Sequence, residues 1–102
     1  MVNVHAELGV LPIGTGSTSL GKYIAKSVSV LKNMHGIKYQ VTPMGTLLES
    51  DSIDKIFDAS KAVMNELFKM GVQRVEVILK IDERHDKVAS LRDKLESIKK
   101  YT

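Results

Sequence analysis

Residues 51–81 read DSIDKIFDASKAVMNELFKMGVQRVEVILKI, a helix pattern that passes directly into a strand pattern. Asp51 or Ser52 is suited to cap the start of the helix, and Gly71 is suited to end it. The apolar stripe of the helix consists of Ile53, Ile56, Phe57, Met64, Leu67 and Phe68. Between 72 and 81, β-branched residues alternate with others, as in a strand with one buried face. The stretch therefore predicts one α-helix followed by one β-strand.

The first third of the chain predicts another strand and another helix. Apolar residues alternate with polar ones from 2 to 10, which is the period of a strand. The residues expected to end this strand are Pro12, Gly14 and Gly16. A helix follows with the stripe Leu20, Ile24, Val28 and Leu31. The residues available to cap it are Ser17, Thr18 and Ser19, and Gly36 is placed to end it.

The remaining segments complete the order of elements. Residues 37–44 alternate like a strand, and the turn residues 43–45 lead into a short third strand at 46–49, so a hairpin or a bulged pair is expected. After a polar turn at 82–86, a final helix is predicted by Val88, Leu91, Leu95 and Ile98. The order β-α-β-β-α-β-α predicts an α+β sandwich of the ferredoxin-like βαββαβ type, with an antiparallel sheet and an extra C-terminal helix. Residues 1–102 are expected to form a single domain.

The helices of such a sandwich cover only one face of the sheet. The residues expected on the other face are His5, Glu7, Gln40, Thr42, Glu76, Ile78 and Lys80. A domain of this size buries only about 60–70% of its unfolded surface, so pairing of the uncovered face with another subunit would add burial. We therefore expect a homo-oligomer.

Charge and composition exclude several classes of partner. The chain has 15 Lys and Arg against 12 Asp and Glu, and the two signs are interspersed, so no nucleic-acid-binding patch is predicted. It has no Cys and therefore no disulfide or thiolate metal site, which fits a reducing compartment and favours the cytoplasm. No signal-peptide pattern and no apolar run of membrane-spanning length is present, so no membrane association is expected.

Motifs for catalysis or for a cofactor are weak. Residues 16–23 match the phosphate-binding pattern GxxxxGK[ST] until Tyr23 replaces the hydroxyl residue, and Ser19 stands where a dinucleotide fingerprint needs glycine. The three histidines show no ligand spacing, so neither a metal nor a cofactor is predicted. Glu7 and Glu49 would approach each other if their strands are neighbours, which leaves acid–base catalysis as one alternative.

The small residues before the first predicted helix permit two interpretations. Gly16, Ser17 and Ser19 would present main-chain N–H groups at a helix start, where a phosphate, sulfate or hydroxyl group can bind. The same residue types are common at helix starts simply because they cap them. The sequence leaves both interpretations open.

Three separated segments carry a family resemblance: residues 12–19, PIGTGSTS; residues 44–49, MGTLLE; and residues 80–84, KIDER. In this order and spacing the protein resembles the thiamine-binding-protein-like family of small, long-uncharacterised proteins, over essentially its whole length. The resemblance implies a ferredoxin-like fold, assembly into dimers or tetramers, and in some members binding of thiamine or its hydroxymethylpyrimidine part without known catalysis.

The resemblance also implies a ligand site at Thr15, Gly16, Ser17, Ser19, Thr46 and Glu49, with Glu7 as a further candidate. Asp82 and Arg84 are expected to be structural or intersubunit residues. Within this site we expect Glu49 to recognise an aminopyrimidine ring, with Thr46 as a second hydrogen-bonding partner.

Three functions follow from the sequence. The leading one is non-catalytic binding of thiamine or a related pyrimidine by a homo-oligomer. The second is an oligomeric regulatory or scaffold module with an anion site at the start of the first helix. The third is an enzyme that uses Glu7 or Glu49 as acid or base.

Overall fold

A computed structural model describes residues 2–102 of the protein. The elements follow the predicted order: β1 (Val4–Ile13), α1 (Gly21–Val28), a short 3-10 helix (Ser29–Asn33), β2 (Ile37–Thr42), β3 (Gly45–Ser50), α2 (Ile53–Lys69), β4 (Arg74–Glu83) and α3 (Leu91–Lys99). The strands form one antiparallel sheet in the order β2-β3-β1-β4. The predicted ferredoxin-like α+β sandwich is confirmed.

The core lies between one face of the sheet and the helices α1 and α2. Strand β1 is central, and its side chains Val4, Ala6 and Leu8 are buried against the helix layer together with Leu48 of β3. On α2 the residues Ile56, Ala59, Val63 and Leu67 recur every three or four positions and are all fully buried. The sequence period therefore places one stripe of α2 on one face of the sheet.

Strand β1 runs further than predicted, because Pro12 does not end it. Pro12 pairs with Val75 of β4, and β1 continues to Ile13. The β1–β3 ladder extends only as far as Leu8 and Thr46, so the last residues of β1 are paired on one side alone. Proline has no N–H to donate and is tolerated at such an unpaired edge.

The predicted capping residue is confirmed for α2 and wrong for α1. The Ser52 hydroxyl accepts a hydrogen bond from the Asp54 N–H and caps α2, as expected. None of the three predicted residues caps α1, whose N-cap is Leu20 without a side-chain bond. The Ser17 hydroxyl is instead bonded within the loop, where it accepts from the Ser19 N–H at 3.0 Å. The local turn in the loop takes the hydroxyl that the helix start would otherwise use.

Two further differences concern the helices. Helix α1 changes to the 3-10 helix at Ser29 instead of continuing to Gly36. Phe57 and Phe68, which the sequence pattern places on the buried stripe of α2, are about half exposed. Each directly follows a buried stripe position, so the helical rotation of about 100° per residue turns them towards the rim of the core.

The C-terminal segment returns over the face of the sheet that α1 and α2 leave open. The Leu91 N–H at the start of α3 donates to the Glu49 carboxylate at 2.8 Å. His5 Nε2 donates to the carbonyl oxygen of Ala89 at 2.6 Å, and Lys94 forms an ion pair with Asp82 of β4. The open face is thus covered at one end by α3 and the residues before it.

Candidate functional site

A cavity of about 200 Å³ lies between β1, the start of α1 and the β2–β3 hairpin. Its apolar walls are formed by Leu8, Val10, Leu20, Ile24, Val41 and Met44. Among residues 2–102, no charged side chain lines it. The cavity therefore suits an uncharged group that has apolar faces and a polar edge.

The cavity exists because two neighbouring strands differ in length. Strand β3 begins at Gly45, whereas β1 continues five residues past Leu8, the last of its residues paired with β3. The space beside the end of β1 is closed by the hairpin turn and by Leu20 and Ile24 at the start of α1.

Two threonine hydroxyls border the cavity and differ in their hydrogen bonding. The Thr42 hydroxyl donates to the Gly45 carbonyl at 2.7 Å and accepts from the N–H groups of Met44 and Gly45, so it is committed to the turn. Thr46 is only 3% exposed. Within the described residues the Thr46 hydroxyl has no hydrogen-bond partner, and no fully enclosed polar side-chain atom in this range lacks one. The Thr46 hydroxyl therefore keeps contact with the open space of the cavity.

The predicted loop residues lie away from this cavity. Gly16, Ser17 and Ser19 are exposed in the loop between β1 and α1. The Thr15 hydroxyl donates to the Ser17 carbonyl at 3.0 Å. Thr15 also borders a separate, more polar recess of about 400 Å³ together with Tyr23 and Arg74. The loop residues thus form a surface group of their own.

Glu7 and Glu49 lie on the other face of the sheet from Thr46. Thr46 and Glu49 are three positions apart on β3, and successive side chains of a strand point to opposite faces. Strands β1 and β3 are neighbours, as the carboxylate pair requires, but Glu7 stands opposite Leu47 while Glu49 stands opposite His5. The structure therefore brings Glu7 and Glu49 to one face, in diagonal positions, and does not bring Glu49 and Thr46 together.

Glu49 has a structural partner. Its side chain is largely buried, and its carboxylate accepts the N–H of Leu91 in the first turn of α3. A negative charge at this end of a helix also interacts favourably with the helix dipole. Glu49 thereby fixes α3 on the open face of the sheet.

The shifted pKa values belong to the C-terminal region and not to the cavity. A hydrogen bond and a charge interaction with Lys94 lower the pKa of Asp82, and hydrogen bonds from Ser90 lower the pKa of Asp93. The Arg84 guanidinium lowers the pKa of Asp86 to about 2. These exposed pairs hold the turn and the start of α3.

Residues 2–102 meet the requirements of neither a metal site nor a membrane-spanning helix. Over residues 2–102, no group of three or more His, Asp or Glu side chains is arranged as a metal site. None of the helices in that range combines the length and apolar content needed to cross a bilayer.

Of the residues predicted for a ligand site, Thr46 borders this cavity, and the residues of the apolar walls were not among those predicted. The sequence pattern assigns Leu20 and Ile24 to a helix stripe and Val41 to a strand, because periodicity reports burial and not the shape of the space beside it. The turn at 43–45 was the available signal, since it fixes where β3 begins.

Comparison with known proteins agrees with this fold. The protein is 45% identical over 96 residues to an uncharacterised protein of Methanothermobacter thermautotrophicus, and the match spans 94% of this sequence and 96% of that one. It superimposes on a solved hypothetical protein of Methanocaldococcus jannaschii with a TM-score of 0.85 and 38% identity, over 95% of this protein and 96% of the other.

A solved protein of Thermotoga maritima, proposed to act in thiamine biosynthesis or salvage, has a TM-score of 0.72 at 23% identity, over 98% of this protein and 99% of the other. At that identity the likeness shows the fold alone. The family model described as thiamine-binding protein matches residues 6–99. The chain therefore belongs to the thiamine-binding protein family.

Proposed function

We propose that this protein binds thiamine or a related pyrimidine-containing small molecule, without a catalytic step, as a cytoplasmic homo-oligomer. The observation that carries the proposal is the cavity under the β2–β3 hairpin, with its apolar walls and the Thr46 hydroxyl at its border. Family membership supports the class of ligand. The lack of Cys supports a reducing compartment.

The size of the cavity suits a six-membered ring. An apolar protein cavity of about 150 Å³ accommodates benzene, and the present one measures about 200 Å³. A substituted pyrimidine ring would therefore fill most of it. Its faces would contact aliphatic side chains, and its polar edge would need a hydrogen-bonding group such as Thr46.

Oligomerisation is supported by apolar side chains outside this cavity. Ile78 on the open face of the sheet is 66% exposed, and Leu95 and Ile98 on α3 are 58% and 60% exposed. Helix α3 packs loosely and buries none of its residues fully. A second copy of the protein over this face would remove these side chains from water, which is the driving force for a dimer or tetramer.

A second function is favoured by one observation at α1. Its N-cap residue is Leu20, which offers no side-chain acceptor, so the N–H groups of the first turn remain available to an anion. In this alternative the protein is an oligomeric regulatory or scaffold module that binds an anion at the start of α1.

A thermal-shift panel separates the two functions. Purified protein is heated with thiamine, its phosphates, its pyrimidine half, its thiazole half, sulfate or phosphate. A ligand at a hundred times its dissociation constant stabilises by about 2.7 kcal/mol. We expect stabilisation by the pyrimidine-containing compounds. Stabilisation by simple anions alone would support the module instead, and no response to any pyrimidine at millimolar concentration would overturn the proposed function.

A pair of variants tests the location of the ligand. Val41→Trp places a large side chain at the cavity, whereas Val88→Trp adds the same side chain at a position that is equally exposed, 52% in each case, and that does not line the cavity. We expect only Val41→Trp to abolish stabilisation by the pyrimidine half. Equal loss or equal retention in both variants would remove the cavity from the proposal.

A further inference from the structure

The main-chain N–H and C=O groups of successive β1 residues beside the cavity point alternately to β3 and to β4. The Leu8 carbonyl oxygen lies 3.2 Å from the point where a Cβ on Gly45 would stand, so Leu8 directs its main-chain groups to β3. The Ile78 carbonyl oxygen of β4 lies 3.8 Å from the corresponding point on Gly9, so Gly9 directs its groups to β4. Since successive residues of a strand alternate in this respect, Val10 directs its N–H and C=O to the β3 side.

No residue of β3 lies opposite Val10, because β3 begins at Gly45 and its ladder with β1 stops at Leu8. The main-chain N–H and C=O of Val10 therefore face no strand. The β1–β3 ladder stops at Leu8 and Thr46, and Val10 lines the cavity. Within residues 2–102, no main-chain hydrogen bond outside the strand ladders and no side-chain hydrogen bond involves the Val10 N–H or C=O. The next residue with the same direction is Pro12, which has no N–H to satisfy.

Three hydrogen-bonding groups at the cavity therefore have no partner among the described residues: the N–H and the C=O of Val10, and the Thr46 hydroxyl. Val10 is half-buried beside this open space, so its N–H and C=O are available to water or to a ligand that replaces that water. The N–H and C=O of one residue stand side by side along a strand edge, at the spacing with which they bond an opposite residue. A partner for Val10 thus needs a donor and an acceptor next to each other.

We propose that Val10 binds the edge of an aminopyrimidine ring in the way that it would bind a neighbouring strand. A ring nitrogen accepts the Val10 N–H, the adjacent exocyclic amine donates to the Val10 C=O, and the Thr46 hydroxyl bonds a further polar group of the ring. This inference rests on the proposed function and names the part of the ligand that the cavity recognises.

The charges of the lining give the inference its specificity. None of the described side chains that line the cavity is charged. Glu7 and Glu49 belong to the opposite face of the sheet, although the Glu7 side chain reaches Gly45 there, with its Cδ 3.7 Å from the point where a Cβ on Gly45 would stand. Inside the cavity, a cationic thiazolium ring or a phosphate group would lose its hydration, and no charged side chain of the lining would replace it. The charged half of thiamine therefore stays outside the cavity, and a compound consisting of that half alone does not bind.

Amide hydrogen exchange with the wild-type protein tests the orientation directly. Without ligand, we expect the Val10 amide to exchange much faster than the amides of Gly9 and Leu11, which are directed to β4 and serve as internal controls. The hydroxymethyl aminopyrimidine half of thiamine should slow exchange at Val10 at least tenfold and leave its two neighbours unchanged. Unchanged exchange at Val10 in the presence of bound pyrimidine would overturn the inference.

Calorimetric titration tests the chemistry. The pyrimidine half and its analogue without the amino group are titrated into wild type, Thr46→Val and Thr46→Ser. We expect about tenfold weaker binding of the deaminated analogue, about tenfold weaker binding of the pyrimidine half to Thr46→Val, and near wild-type binding to Thr46→Ser, which keeps the hydroxyl.

The two proposals fail in different ways. If none of the pyrimidines binds to the wild-type protein, the proposed function itself fails. If the pyrimidine half binds but the amino group, Thr46 and the Val10 amide are all without effect, the proposed function stands and this inference is wrong. Binding of the thiazole half as tightly as the pyrimidine half would also overturn it.

Discussion

Thr46 and Glu49 lie on the same strand, three positions apart, and both side chains are buried, but they face opposite sides of the sheet. Thr46 faces the helix layer and borders a cavity. Glu49 faces the opposite side, and its carboxylate is occupied by the N–H of Leu91. The two faces of this sheet therefore differ: one carries the cavity in which we propose that the ligand binds, and the other holds α3 and the exposed apolar side chains that we propose face another subunit.

Removal of α3 is expected to have the largest effect, and only on the open face. Deleting the residues after Asp86 would uncover His5 and Glu49 and remove their partners at 89 and 91. We expect loss of the oligomer, either to a monomer or to poorly soluble protein. Sedimentation equilibrium at micromolar protein measures this, and an unchanged oligomer would show that α3 is not part of the assembly.

Single substitutions at Glu49 and Thr46 should change the free energy of unfolding in different ways. Glu49→Ala leaves the Leu91 N–H without its acceptor, and the free energy of unfolding should fall by about 1–3 kcal/mol. Thr46→Val removes a hydroxyl that has no partner among residues 2–102, so the free energy of unfolding should stay the same or rise. Urea titration of both variants measures the difference, and a clear loss of stability in Thr46→Val would mean that its hydroxyl is structural.

For ligand affinity, substitution of Thr46 should have a larger effect than substitution of Glu49. Glu49→Gln keeps an oxygen acceptor for Leu91, and since Glu49 is on the far side of the sheet from the cavity, affinity for the pyrimidine half should remain within about twofold of wild type. Calorimetry of Glu49→Gln beside Thr46→Val is the measurement. A tenfold loss in Glu49→Gln would place the ligand on the open face and reverse the assignment of the two faces.

A fall in pH should weaken the attachment of α3 to β4, by less than the substitutions described above. The pKa of Asp82 is lowered from 3.8 by Lys94. A lowered pKa in the folded state means that the stabilisation is complete above 3.8 and is lost as the pH falls through the lower, folded-state value. The protection of the α3 amides, which is the exchange rate of free amides at the same pH divided by the observed rate, should therefore fall below pH 3.8, and the change should be modest because the pair is exposed. Exchange that stays the same in Asp82→Asn at neutral pH would show that this ion pair does not hold α3.

The smallest effect is expected in the loop before α1. The Ser17 hydroxyl is bonded within an exposed loop and does not cap the helix. Ser17→Ala should change the free energy of unfolding by no more than about 0.5 kcal/mol, whereas loss of a helix cap typically costs about 1 kcal/mol. Denaturant unfolding decides between these values. Weaker sulfate binding in the same variant would favour the anion-binding module over the pyrimidine binder.

Much of the fold was predictable because it rests on local periodicity. The alternation in β1 and β4 and the stripe of α2 assign residues to faces directly, and the Ser52 cap follows from its position before the stripe. Candidate site residues were less predictable. The family resemblance predicted Thr46 and Glu49 for one ligand site, whereas the alternation of side chains along a strand places residues three positions apart on opposite faces.

The sequence by itself determined the order of the elements, the residues on each face of the sheet and the separation of Thr46 from Glu49, because these depend on periods of two and 3.6 residues. Only the tertiary structure decided that β1 extends beyond its last residue paired with β3 and that Leu20 and Ile24 close the space beside Val10. It also decided that the Leu91 N–H donates to the Glu49 carboxylate. Strand register, cavity shape and a contact across 42 positions are set by which distant segments pack together, and no local pattern records that choice.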